Sequence, residues 1–432
     1  MFLFIKTNIQ RIIKKIYEKI FKEKITLTVQ VFFKNLNYAI WGYGIAAVFI
    51  FIFQILVGRT LGPSEYGKYA LVDSVATFLF LFMTLGVSTA AIKYNAEKED
   101  YSRQQKIISS SYWTTLIISF ILTSFFFLFS HFFSRIFSIP LIIFRYAVVF
   151  AICYTLYILA TDILRGLHQI KKLAIFRTCY GFLILFFLYL FLLKNYISFT
   201  IVIFVICFTY LVIFLLITVN IRNYLSFKID RAWIKNLLEY GLYVTGGSFL
   251  FIFLPALSKI MVNKFLTVGD VGIYNAYYFF SINVAIFFNT VFITVFFPTA
   301  SKYPQKSSIF KKIKKITPFL FLIGVPILFG IQLLVLKFFG QQYPMDYWLM
   351  LLFALSGVMF FIFGLYIWLF YSKGIIEARL IIFLTAFVFI VNILLNFYLI
   401  PRFLLRGAAI SLILTYLVGW IYLLIFQRKL ID

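Results

Sequence analysis

Leu61-Gly62-Pro63-Ser64-Glu65-Tyr66-Gly67-Lys68-Tyr69 decides the reading of this chain, because its pattern returns as Leu266-Thr267-Val268-Gly269-Asp270-Val271-Gly272-Ile273-Tyr274. Each copy has Leu, an acidic residue four positions on, Gly six on and Tyr eight on, at a shift of 205 residues (61 to 266). Each copy also joins two long apolar blocks. Gly67 and Gly272 suit a tight turn at such a junction. Glu65 and Asp270 fall near the start of the following helix, where the helix dipole favours negative charge. Six apolar blocks separate the copies, an even number, so both halves enter a membrane in the same orientation. This predicts a parallel repeat about an axis normal to the membrane, with a central cavity between two lobes.

The composition around these motifs is that of a membrane protein. Of 432 residues, 63% are hydrophobic and 12% charged, with a mean hydropathy of +1.01. Ordinary soluble domains are about 45–50% apolar and about 25% charged. A soluble enzyme, a nucleic-acid-binding protein and a disordered scaffold are excluded. The apolar blocks are about 20 residues long, the length a helix needs to cross a bilayer. Twelve spans follow: 37–58, 70–93, 108–133, 141–164, 173–193, 197–219, 237–263, 273–297, 316–338, 347–370, 378–400 and 408–427. The fold class is therefore an all-α polytopic membrane protein, with about twelve transmembrane helices in two six-helix lobes. Residues 1–36 form an N-terminal segment, 37–222 the N-lobe with spans 1–6, and 223–432 the C-lobe with spans 7–12. In the first segment Ile5, Ile9, Ile12, Ile13, Ile16 and Ile20 recur at helical spacing between lysines and arginines, the pattern of an amphipathic helix on an anionic membrane surface.

The chain carries 40 Lys and Arg against 14 Asp and Glu, a formal charge of +26. The basic residues sit mostly in short connections. The N-terminal segment, every second connection and the C-terminus together hold 30 of them, and the alternate connections hold 10. Such a bias places both termini in the cytoplasm, with the protein in the cell membrane. Charge and apolar residues interleave at the start of the chain, unlike a cleavable signal peptide. Cys153, Cys179 and Cys207 lie in or beside spans and read as small core residues, with neither disulfide nor metal spacing.

The motif Leu61 to Tyr69 after a first span resembles the polysaccharide transporter branch of the multidrug/oligosaccharidyl-lipid/polysaccharide exporter superfamily. So does Asn396 to Gly407 followed by Ala408-Ala409, with its Asn, then Leu399-Ile400-Pro401, then Gly-Ala-Ala. The resemblance implies a flippase that moves an undecaprenyl-pyrophosphate-linked oligosaccharide from the inner to the outer leaflet. It implies membrane lipids as surroundings, and polysaccharide polymerase and assembly proteins as partners. The related lipid II flippases carry two additional spans, and the twelve spans counted here favour surface-polysaccharide precursors such as O-antigen or capsule units.

Polar groups inside spans are costly, so they usually face a cavity. Lys259 stands four residues past Pro255 in span 7, and the repeat shift pairs it with Gln54 in span 1. The same shift pairs Lys264 with Arg59 at the span ends, and Asn263 is grouped with them. Together they suggest a cationic wall that would bind a pyrophosphate where water is scarce; snorkelling to the surface is the alternative. Asp73, Thr77, Thr84 and Ser88 share one face of span 2, and Asn283, Thr290 and Thr294 one face of span 8, as cavity linings do. Asp73 is a candidate partner for Lys259, or for a coupling ion. Arg165 and Asp162 mark the inner end of span 4, as a phosphate guide or as interfacial anchors. His131 and His168 lack metal-ligand companions, no phosphate loop of the nucleotide-hydrolysing kind is present, and no cofactor is expected. Two other functions compete. A drug or cation exporter would need acidic cavity groups, and a membrane glycosyltransferase or polymerase would need an accessible carboxylate cluster. The sign of the cavity lining separates the three.

Overall fold

The protein is described by a computed structural model that covers residues 27–97, 100–194, 196–292, 306–371 and 375–425. Residues 1–26, which carry most of the amphipathic segment, and Thr294 lie outside the described residues. The helices are α1 (Leu27–Thr84), α2 (Val87–Glu97), α3 (Tyr101–Leu128), α4 (Ser130–Ile136), α5 (Leu141–Gly166), α6 (Ile170–Leu192), α7 (Phe199–Asn220), α8 (Arg231–Phe265), α9 (Val268–Tyr278), α10 (Lys306–Phe339), α11 (Tyr347–Tyr371) and α12 (Ile375–Ile425). Among the described residues, nine helices are long and apolar enough to cross a membrane.

Two of those nine cross twice. Gln54 Nε2 donates to the Tyr69 hydroxyl at 3.0 Å, although fifteen residues of straight helix would hold them about 22 Å apart. The chain must double back between them, and it does so at Gly62 (φ 70°, ψ 172°), just before Pro63. In α12, Asn392 Nδ2 donates to Thr415 Oγ1 at 3.0 Å and Ser411 Oγ to Asn396 Oδ1 at 2.6 Å, which needs a reversal at Leu404 (φ 53°, ψ −134°). Thus α1 supplies spans 1 and 2, and α12 spans 11 and 12. With the 35-residue α8 as span 7, the passes number twelve. Span 8 begins as α9 and runs on through a π turn, Phe279–Asn283, to Phe292.

The two motif glycines do not form the turns expected of them. Gly62 makes the first turn. The second is made by Leu266 and a capping box in which Thr267 and Asp270 bond each other's backbone amides. Gly67 and Gly272 instead lie one helical turn into spans 2 and 8, face to face. A Cβ on Gly67 would collide with the Val268 carbonyl, and one on Gly272 with the Pro63 carbonyl. Val268 is Pro63 shifted by the repeat, so the contact obeys a two-fold axis between the lobes. Small residues at such a crossing let helix backbones meet inside a membrane.

Both ends of the bundle have further seams between the lobes. At the motif end, Tyr343 donates to the Gly58 carbonyl at 2.9 Å and Asn263 Nδ2 to the Ser138 carbonyl at 2.9 Å. At the opposite end, Tyr94 packs on Trp233 and Tyr240, with Lys93 Nζ 3.9 Å from the Tyr240 ring centroid. In the exposed turn before span 10, Asp346 caps α11 and pairs with Arg406 at 2.8 Å. Burial alone would raise this carboxyl, but Arg406 and the Leu349 and Trp348 amides hold it below the usual range.

Candidate functional site

Lys259 lies six residues before the end of α8, about 9 Å along the axis from the motif end. Pro255 stands one turn before it, where the missing N–H breaks the hydrogen-bond ladder. The side chain is 6% exposed and crosses the seam between the lobes: Nζ lies 3.4 Å from Asp73 Oδ2 of span 2. It also lies 5.2 Å from the ring centroid of Tyr278 in span 8. A lysine this deep needs a counter-charge, and the carboxylate expected as a candidate partner supplies it. The exposure is lopsided, because the Asp73 side chain is 40% exposed. The carboxylate is partly exposed, with the ammonium buried beside it. The cationic wall expected from the sequence is therefore a capped cation.

A polar cluster backs this pair. Both ends of the Gln54 amide are occupied within the N-lobe: it donates to Tyr69 and accepts from the Tyr66 hydroxyl at 2.8 Å. It is buried and lines no open space. Tyr69 lies one helical turn before Asp73 on span 2, and Asn275 of span 8 is a further polar neighbour of Tyr66.

The other expected residues scatter. Arg59 is exposed at its span end, and the Lys264 ammonium sits 5.0 Å from the Phe397 ring centroid, on the side of spans 7 and 11. Both are exposed at their span ends, whereas Asn263 ties the lobes together at the motif end. Thr77, Thr84 and Thr290 donate to their own helices' carbonyls. Span 2 also breaks at Leu85 and Gly86 (φ 42° and 67°), which takes Ser88 out of phase with Asp73. Asn283 is half-buried in the π turn. Arg165 pairs with Asp162 at 3.4 Å on its own helix, in the manner of an anchor. No group of three metal-ligating side chains occurs among the described residues.

Sequence reading missed the tyrosines. The signal was present, since Tyr69 and Tyr274 close the two motif copies and Asp73 shifted by the repeat is Tyr278. Also unforeseen is an apolar groove of about 480 Å³ between spans 2 and 3, lined by Phe78, Phe82, Ile121, Leu122 and Phe125 among others. Its edge reaches the seam, where Phe78 packs on Phe253 of span 7 at 4.7 Å.

The fold is shared with solved transporters. An inward-facing structure of a multidrug resistance MATE family transporter of the MOP superfamily superposes with a TM-score of 0.71 at 12% identity, over 89% of this chain and 95% of that one. An outward-facing structure of such a transporter gives 0.59 at 14% identity, over 94% and 98%. A MOP superfamily transporter from Pyrococcus furiosus, whose reversed binding-pocket polarity was taken to suggest a different function, gives 0.62 at 14% identity, over 95% and 100%. No curated protein matches the sequence. Residues 32–304 match the family described as polysaccharide biosynthesis protein, more than half of the chain, and the chain belongs to that family.

Proposed function

We propose that this protein is a flippase for a lipid-linked oligosaccharide, moving an undecaprenyl-pyrophosphate-borne O-antigen or capsule unit from the inner to the outer leaflet of the cell membrane. The observation that carries this reading is the ammonium of Lys259, buried at the seam between two lobes in a chain of the polysaccharide biosynthesis family. A pyrophosphate is the kind of group a desolvated ammonium holds strongly. The basic connections put both termini in the cytoplasm and the motif end outside. In this arrangement Lys259 stands near the outer end of the seam, with the Gly67–Gly272 crossing closed above it. Rocking of the lobes would open that crossing and close the other end. The sugar passes between the lobes, while the lipid chain stays in the bilayer along apolar surface such as the groove beside span 2. An inside-negative potential assists an anion moving outward by about 2.3 kcal/mol per charge per 100 mV.

Deletion of the gene is expected to leave lipid-linked glycan on the inner leaflet while its synthesis continues. Lys259→Ala should reproduce that accumulation at normal protein levels, and Lys259→Arg should restore part of the export. Normal export by the alanine variant would remove Lys259 from the site. A second reading, export of drugs or other cations, is favoured by one observation: the exposed side of the pair is the carboxylate of Asp73. It predicts cation resistance that depends on Asp73, with no accumulation of glycolipid.

A further inference from the structure

Lys259 and Asp73 are placed asymmetrically in three respects. They belong to different lobes. The carboxylate side chain is partly exposed, and the lysine side chain beside it is buried. Their repeat mates are Gln54 and Tyr278, so neither lobe supplies a second charge at the matching position. An anion that approaches the ammonium therefore meets a negative charge first. Tyrosines stand near the pair: Tyr69 lies one helical turn before Asp73 on span 2, and the Tyr278 ring lies 5.2 Å from the ammonium.

We infer that Asp73 is an internal stand-in for the anionic head of the substrate: it occupies Lys259 in the empty transporter and gives it up when a phosphate takes its place. This rests on the flippase reading above. A buried lysine cannot cheaply be left unpaired. Separation of spans 2 and 7 in the empty protein would do that, so the ion pair latches the lobes. A bound phosphate removes the penalty, because it keeps the ammonium paired while Asp73 turns towards its exposed side. Loading and lobe movement are thereby coupled, as they must be if a ligand is to shift a conformational equilibrium. The same device selects for charge. A neutral lipid offers the ammonium no replacement charge, and a cation that drew the carboxylate away would leave the ammonium unpaired, whereas a phosphate or pyrophosphate ester keeps it paired.

The test uses the full chain in lipid nanodiscs, with a polyprenyl pyrophosphate bearing no sugar as the probe. Binding is compared for wild type, Asp73→Asn, Lys259→Gln and the double variant. Removal of the competing carboxylate should tighten binding about tenfold, as expected when about a tenth of the resting sites are otherwise competent. Lys259→Gln should lose most of the binding, and adding Asp73→Asn to it should recover none. Without probe, Asp73→Asn should melt below wild type, and the probe should raise its melting temperature more than it raises that of wild type. Should the asparagine variant fail to fold, Asp73→Ser serves in its place. Binding by Asp73→Asn that equals or falls below wild type overturns the stand-in role and leaves the flippase reading intact. Wild-type binding by Lys259→Gln overturns both.

Discussion

A single methyl group tests how closely the lobes meet. Gly67 and Gly272 are equivalent in the repeat, and each occupies space that the other copy's turn needs. Gly67→Ala or Gly272→Ala must push two backbones apart, because the atom in the way is a carbonyl and not a flexible side-chain tip. Overpacking of this kind costs about 1–3 kcal/mol. Either variant should melt several degrees below wild type in detergent, whereas Gly44→Ala, with nothing within 4 Å of its added carbon, should not. Equal melting of all three would disprove the crossing. The same pair shows what one sequence conceals. The repeat made the equivalence of the two glycines legible, but glycine serves turns and close crossings alike, and only the partner distinguishes them. Lys259 was legible as a cavity candidate with snorkelling as the alternative, and Asp73 as a candidate partner. The exposure of one and the sealing of the other were not, because neither residue type records which side of it is open.

Helices behave differently as evidence. In a bilayer each span must satisfy its own backbone, so length and apolarity suffice to mark it, and the twelve spans read from the chain agree with twelve passes in the structure. Breaks within helices are less visible. Gly62 and Pro63 advertise a reversal, but Leu85 and Leu404 adopt positive φ with side chains that give no warning, and the π turn at Phe279–Asn283 lies in an ordinary apolar run. Leu404 offers a direct check. Its φ of 53° and ψ of −134° match the first central position of a type II′ turn, which glycine favours. The side chain is 59% exposed, so little burial is lost on its removal. Leu404→Gly should therefore stabilise the protein by about 1 kcal/mol, read as a higher melting temperature with unchanged helix content. A lower melting temperature would mean that the Leu404 side chain contributes more through its contacts than the turn costs in strain.

For the molecule as a whole, the sequence carried the number of lobes and their relation by a repeat, but not how they touch. Those contacts lie between residues more than a hundred positions apart, and no local pattern encodes them. They bear directly on the proposed function, because alternating access of a flippase would require the motif end to open. Asn263 and Ser138 join span 7 of one lobe to the turn before span 4 of the other at that end. With Cys153, Cys179 and Cys207 replaced by serine or alanine, cysteines at 263 and 138 can be joined by a short thiol-specific cross-linker. Joining them should reduce glycolipid export to the level of the deletion strain, and a reductant that cleaves the cross-link should restore it. The control pair is Lys172→Cys with Asn220→Cys, whose native side chains meet at 3.0 Å within the N-lobe. Its cross-link leaves the lobes free to move, so export should persist. A protein that exports normally with positions 263 and 138 tied has another route past the motif end, and rocking of the lobes about the glycine crossing would then not be its transport step.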